Sequence, residues 1–374
     1  LLSDRLLADI QAAIPSAPQL ITRLGQVSLS GQFWQNGDGH LATEGGLHCG
    51  VGHLSWQGSL EQDDKAWEAQ ITADSLDMHH LLDNPLFGFL TARLQLAGRQ
   101  SAISIQGDVP YIDLNGYGYR DIALDGNYSP SEISGRLRID DPHLQANVEG
   151  EFSNPRKPHV RLTGNIGSIA PQALHLSDRW GDATFAAIVD ADFAASSLAD
   201  AEGILNLDDF IMAQGDTTHY HLNNLHLKSG YANEGRHFLS LKSDFGEVLL
   251  EGIFNWSTLP HSLAAIVPML ATDSRPGDND FVLSIQLTDS DWMQKLLGIG
   301  LDLEGPLNLQ ASVDDPHHVI QLEADVPSFS FGGDSYRNAE LRLVTQADSS
   351  RCVAEAIRLS DNKNDMTIRL NANV

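Results

Sequence analysis

The chain has 374 residues, 42% of them hydrophobic and 20% charged, with 32 Gly and 15 Pro, a composition that supports a sizeable apolar core and argues against disorder. Fifty acidic against 23 basic residues leave a formal charge of −27, which argues against a partner held by nucleic-acid phosphates or by anionic lipid head groups. The two cysteines, Cys49 and Cys352, form no CxxC pair, which excludes a disulfide framework and a Cys-rich zinc site and leaves room for one bridge at most.

In chain order, the first expected element is a helix over 4–14, where Leu6, Leu7, Ile10, Ala13 and Ile14 fall on one face and Pro15 stops it. Residues 1–24 are expected to form this short helix and a connector, and 25–374 a single repetitive β region. From about Gly25 the dominant period is two, as in Ile103 and Ile105, Ile122 and Leu124, Leu137 and Ile139, or Leu341 and Leu343. Alternating side chains point to opposite faces, so these are half-buried strands. Turn signals at Asp125-Gly126, Asn154-Pro155, Asn233-Glu234-Gly235 and Gly332-Gly333 suggest antiparallel hairpins in series. Short segments of helical character are expected at 74–82, 169–176, 258–270 and 289–297, with Asp74, Ser75, Asp289 and Ser290 as N-caps. No run reaches the ~20 apolar residues that span a bilayer; the best, 259–270, contains Pro260, His261 and Pro268. The chain starts on Leu1 and ends on what reads as an unfinished strand, so it is expected to be a piece of a longer protein whose targeting segment lies elsewhere.

Internal repetition constrains the fold further. A shift of 217 residues places Asp108, Val109, Pro110, Gly116, Tyr119, Arg120 and Leu124 on Asp325, Val326, Pro327, Gly333, Tyr336, Arg337 and Leu341. A second shift, of 174 residues, places Asp140-Asp141-Pro142-His143 on Asp314-Asp315-Pro316-His317. Two incompatible shifts mean several copies of one small hairpin unit. Such units cannot each close a private core, so neighbours must share a continuous sheet.

The sequence carries no specific signature of a chemical site. The histidine pairs His79-His80, His219/His221 and His317-His318 lack further ligands at completing spacings. The Asp-Asp-Pro-His copies read as turn chemistry rather than calcium sites. Phosphate-loop and nucleophile-elbow signatures are absent, and the six tryptophans are scattered singly. No catalytic residue, metal ligand or cofactor is expected, so the chain reads as a non-enzyme.

What remains is the apolar face. Its alternation persists for over three hundred residues without long crossovers, which favours an all-β, elongated, repetitive antiparallel sheet curled into an open U-shaped groove, a β-taco, with a few short helices. An apolar groove needs a cover, and a lipid acyl chain is the expected one. Strand parity selects Leu94, Leu96, Ile103, Ile105, Ile122, Leu124, Leu137, Ile139, Val160, Leu162, Leu225, Leu227, Ile285, Leu287, Ile320, Leu322, Leu341 and Leu343 as the groove lining.

The segments YGYRDIALDGNYS at 117–129, SGRLRIDDPHLQANVEGEFS at 134–153, LHLKSGYANEGRHFLSLKSDFGEVLLEGIF at 225–254 and ITADSLDMHHLLDNPLFGFLTARLQLAG at 71–98 resemble the middle portion of TamB-like proteins, the translocation and assembly module of Gram-negative envelopes. The resemblance implies a periplasmic location within an inner-membrane-anchored protein, and an outer-membrane assembly partner. Related AsmA-like proteins are regarded as bridge-like lipid carriers. The family's amino-terminal anchor and its carboxy-terminal docking domain have no counterpart in this sequence, so contacts with the inner membrane and with the outer-membrane partner are expected through parts outside it. The implied function is a non-enzymatic conduit for phospholipid acyl chains between inner and outer membrane, supporting outer-membrane biogenesis. The alternative is a structural or chaperone-like scaffold for outer-membrane protein translocation, assembly and secretion; a glycan-binding or hydrolytic β-protein comes third.

Strands laid side by side add about 4.8 Å each, so two dozen would reach on the order of 120 Å, whereas a globule of this length has a radius of gyration of roughly 21 Å. Small-angle scattering is expected to give a value well above that; a value near it contradicts the open groove.

Overall fold

The period-two alternation is realised as strands along the whole described chain. The structure, a computed structural model, describes residues 23–24, 26–35, 39–154, 157–195, 201–215, 217–232, 235–266, 278–346, 349–360 and 365–373. Its 22 strands form one antiparallel sheet that is not closed into a barrel, with a few short helices. The helix expected over 4–14 lies outside the described residues. The chain divides into two units, Leu1–Pro155 with Gly164–Thr184, and Arg156–Thr163 with Phe185–Val374.

Unit 1 is a meander. Its strands are β1 (Ser28–Gln35), β2 (His40–Cys49), β3 (Gly52–Glu61), β4 (Ala66–Asp77), β5 (Phe87–Arg99), β6 (Ala102–Leu114), β7 (Tyr117–Ser129), β8 (Glu132–Asp141) and β9 (Leu144–Ser153). Each pairs antiparallel with the next. The boundary between the units falls within β10 (His159–Ile169).

The turns are not all where the sequence pointed. Asn115-Gly116 joins β6 to β7 with φ of 55° and 76°, both positive as a two-residue hairpin turn requires. Gly332-Gly333 does the same at φ of 62° and 88°. Asp125-Gly126, expected to turn, instead lies in mid-β7, where Gly126 faces Ile105 and Gly135. The parity of Ile122 and Leu124 runs on through Gly126 to Tyr128, and a turn there would have thrown Tyr128 off the apolar face. The actual turn is Pro130-Ser131.

The helical segments also shift. Residues 74–77 complete β4, so the helix α1 (Met78–Leu82) is capped by Asp77, which accepts from the His80 amide at 2.9 Å, and not by Asp74 or Ser75. Residues 171–175 are successive turns rather than a helix. Asp289 accepts from the Asp291 amide as a cap should, at 2.7 Å, but the Ser290 hydroxyl is taken by the Leu303 amide at 2.9 Å. The turn that follows, Met293–Leu297, is π-helical.

Unit 2 holds most of β11 (Thr184–Ala194), then β12 (Glu202–Gln214), β13 (Thr217–Tyr231), β14 (His237–Ser243), β15 (Gly246–Ile253), the helix α2 (Leu259–Ile266) and β16 (Asp280–Leu287). It ends with β17 (Leu301–Leu303), β18 (Leu307–Asp314), β19 (Val319–Phe331), β20 (Asp334–Gln346), β21 (Ser349–Arg358) and β22 (Met366–Asn373). β16 pairs with β18, and β17 and β18 both lie along β19, like one strand interrupted at Pro306. Phe281, Val313, Leu322 and Leu343 form a closed core with Leu259 of α2.

The repeats are structural. Advanced by 217 residues, β6 and β7 become β19 and β20 residue for residue. Both ladders skip the same place, Pro110 opposite Asp121 and Pro327 opposite Asn338. A proline cannot donate to the ladder, and Asp121 and Asn338 relax into the left-handed region at φ of 51° and 49°, which Asp and Asn tolerate better than most residues. The 174-residue shift aligns the tip of β8–β9 with that of β18–β19, and in each the second Asp anchors a cap. Asp141, 1% exposed, accepts from the Tyr117 hydroxyl at 2.6 Å and from the His143 and Arg120 amides at 2.8 and 3.0 Å. Beside it the 170–183 segment folds over the tip, burying Leu174 and Ala183, with the Ala170 amide on the His143 carbonyl at 2.9 Å. Asp315 accepts from Ser262 of α2 at 2.7 Å and from the amide of the fully buried Asn279 at 3.3 Å.

Burial, and after it the hydrogen bond to Asp141, pushes the Tyr117 phenol up to about 12. A phenol whose folded pKa lies above its ordinary value of about 10 costs stability as pH climbs between the two. Asp141→Ala is expected to lose about 2–4 kcal/mol at pH 7 by urea unfolding, through orphaned donors, and to let Tyr117 ionise earlier in ultraviolet titration. Unchanged stability with an unchanged phenol would contradict the anchoring role.

Candidate functional site

In an antiparallel pair, directly opposed residues project from the same face, so the register can be followed from strand to strand. Leu94 opposes Gly107 and Leu96 opposes Ile105; Gly107 opposes Leu124 and Val109 opposes Ile122; Leu124 opposes Leu137 and Ile122 opposes Ile139. Leu94, Leu96, Ile103, Ile105, Ile122, Leu124, Leu137 and Ile139 therefore share one face of β5–β8, and none of the eight is fully buried. Val160 and Leu162 are both exposed on β10.

The same tracing in unit 2 joins Leu225 and Leu227 to Leu207, Leu205 and Leu241, and Ile285 to Val248 and Leu309. It also joins Ile320 to Val313, Leu322 to Ala311 and Leu343, and Leu341 to Ala324. Leu287 opposes Gly246 and Leu307. Here much of the face is shut: Leu322 and Leu343 are buried in one cluster with Phe254 and Leu259, Trp256, Ile285, Ile320 and Leu341 pack against it, and Leu287 is buried as well, while Leu225 and Leu227 are half-buried.

Apart from Ile103, parity pairs alone missed an exposed row of the unit 1 face. Leu60, Trp67, Gly98, Ile103, Tyr128, Ile133 and Phe152 oppose one another in succession across β3–β9. Leu60, Ile103, Tyr128, Ile133 and Phe152 are all exposed, Ile133 by 49%. The Trp67 ring covers Gly98 so closely that a Cβ there would stand 2.3 Å from it. Extending the parity of Leu124 to Tyr128, and of Leu137 back to Ile133, was the available signal.

The opposite face is polar. Gln57, Gln70, Gln95, Gln106, Asp125, Arg136 and Glu149 oppose one another in turn, and Arg136 meets Glu149 at 3.0 Å. Hollows of about 560 and 610 Å3 open over this face, both bordered by Gln70, Gln95, Gln106 and Asp125. Leu94 and Leu124 of the intervening row also line the one, and Leu96 and Ile105 the other.

Among the described residues no three His, Cys, Asp or Glu side chains gather at metal-binding distance, both cysteines are free, and no helix is long and apolar enough to cross a membrane. One histidine of each pair is locally engaged: His221 lies 3.6 Å from Asp209, His317 lies 2.8 Å from Asp314, and His79 lies 3.2 Å from the Asn84 carbonyl. No protein-family model, curated protein or solved structure matches the chain.

The open and closed versions of the apolar face differ in what they tolerate. Ile133→Ser is expected to cost less than about 1 kcal/mol in urea unfolding, because the residue is half in water already. Leu322→Ser, at a site 2% exposed, is expected to cost more than about 3 kcal/mol from the cavity and the buried hydroxyl together. Equal costs would mean that the two faces are packed alike.

Proposed function

We propose that the apolar face of unit 1 is a non-enzymatic track for lipid acyl chains, with head groups left in water. The observation that carries this reading is the exposed row through Ile103, Tyr128, Ile133 and Phe152, which crosses the strands and so follows the sheet from strand to strand. A tail of roughly half the ~30 Å hydrocarbon core of a bilayer lies across about three strands at ~4.8 Å each. Each buried methylene contributes about 0.8 kcal/mol, so a sixteen-carbon tail gains roughly 10 kcal/mol before ordering costs. Similar neighbouring positions along the row favour sliding over trapping. On this reading the chain is the periplasmic part of a TamB-like, inner-membrane-anchored envelope protein that carries phospholipid between the inner and outer membranes. The closed face of unit 2 favours a second reading for that region, a scaffold whose apolar interior is simply packed.

Photo-crosslinkers at Leu124 and Ile133 are expected to capture phospholipid in the native envelope, read by mass spectrometry. One at Ala123, which opposes Asp108 and Arg138 on the other face, is expected to capture none. Equal labelling from both parities contradicts a one-faced track. No labelling from any position, with collapse of the fold in Leu124→Asp, gives the scaffold reading to the whole protein.

A further inference from the structure

We propose that the polar face of unit 1 binds an extended, uncharged, hydroxyl-rich polymer, a β-linked glycan, along the row Gln57, Gln70, Gln95 and Gln106. These four side chains oppose one another across β3–β6 and are all exposed. Among the described residues none of their amides has a hydrogen-bond partner. A primary amide offers both donors and an acceptor, which is the complement of a sugar hydroxyl that also does both.

The surroundings narrow the ligand class. The row continues into Asp125 and Arg136, and the row beside it carries Arg93 opposite Asp108, so an ion of either sign meets its own charge as well as the opposite one. The next row on the same face, Ser59, Glu68, Ala97, Ser104 and Asn127, is small or polar and offers a lipid no large apolar side chain. Adjacent strands stand about 4.8 Å apart, close to the length of one pyranose ring in an extended chain, so successive sugars meet successive amides. The hollows of about 560 and 610 Å3 both border Gln70, Gln95 and Gln106, which makes them neighbouring parts of one trough across the strands. Without an aromatic platform each contact is weak, and affinity must come from several acting together along one chain. The site uses the face opposite the lipid track, so the two proposals stand or fall separately.

The test is calorimetry of the full chain with cellohexaose and cellotriose. The hexaose is expected to bind, and the triose to bind at least about tenfold more weakly because it spans fewer rows. The combined variant Gln70→Ala, Gln95→Ala and Gln106→Ala is expected to weaken hexaose binding at least about tenfold with an unchanged thermal midpoint, since the removed amides are exposed and unpartnered. Ile133→Ser, on the other face, is expected to leave hexaose binding unchanged. The proposal is overturned if the unaltered protein does not bind the hexaose, if the triose binds equally well, if the triple variant binds like the parent, or if Ile133→Ser abolishes binding.

Discussion

Everything in this structure depends on cross-strand register. Because directly opposed residues in an antiparallel ladder share a face, a parity chosen in one strand is handed to the next, and a slip of one residue would exchange the two faces. From β5 to β8 the handover passes from Leu94 and Leu96 to Ile105, Leu124 and Leu137 with the apolar side intact. The polar row from Gln57 to Glu149 is the same handover seen from behind. Where the ladder is interrupted, the interruption is built in: Pro110 and Pro327 face Asp121 and Asn338, and the pairing resumes in the same register beyond them.

A sheet made of hairpins must also finish its tips. Asp141 and Asp315, related by one of the sequence shifts, do this in two ways. Asp141 is buried under local groups, Tyr117, Arg120 and His143, beside the 170–183 segment. Asp315 instead ties the tip of β18–β19 to α2 through Ser262 and to Asn279. A carboxylate drawn out of water is satisfied by several donors and costly without them; Asp141 is buried and Asp315 half-buried, so both tips are fixed by the same chemistry although their covers differ. The acidic look of the Asp-Asp-Pro-His copies is thus accounted for by internal hydrogen bonds.

The two units use one pattern to different ends. In unit 2 the alternating residues meet Phe254, Trp256 and Leu259, and Phe281 and Val313 are sealed from solvent. In unit 1 the corresponding residues stay half-exposed, and aromatic Tyr128 and aliphatic Ile133 stand in water. A contiguous apolar row left open is a candidate contact surface; a row shut by its own helix is a core.

The sequence alone determined the all-β class and the hairpin repeats, because period-two alternation is a local property that survives into the sheet; of the apolar positions selected from it, the register places eight on one face of β5–β8 and eight on one face of β12–β20. It did not determine where strands turn: Asp125-Gly126 has the composition of a hairpin turn, yet the pairing of Gly126 with Ile105 and Gly135 keeps it extended. Nor could it show that Gln57, Gln70, Gln95 and Gln106, which are separated by 13, 25 and 11 positions in the chain, stand in one row, since that needs the register of three strand pairs at once. Whether an apolar face is open or closed was likewise decided only in three dimensions. Leu137 and Leu343 sit in similar alternating strands, and the difference is a packed cluster over one of them, made by residues distant in sequence.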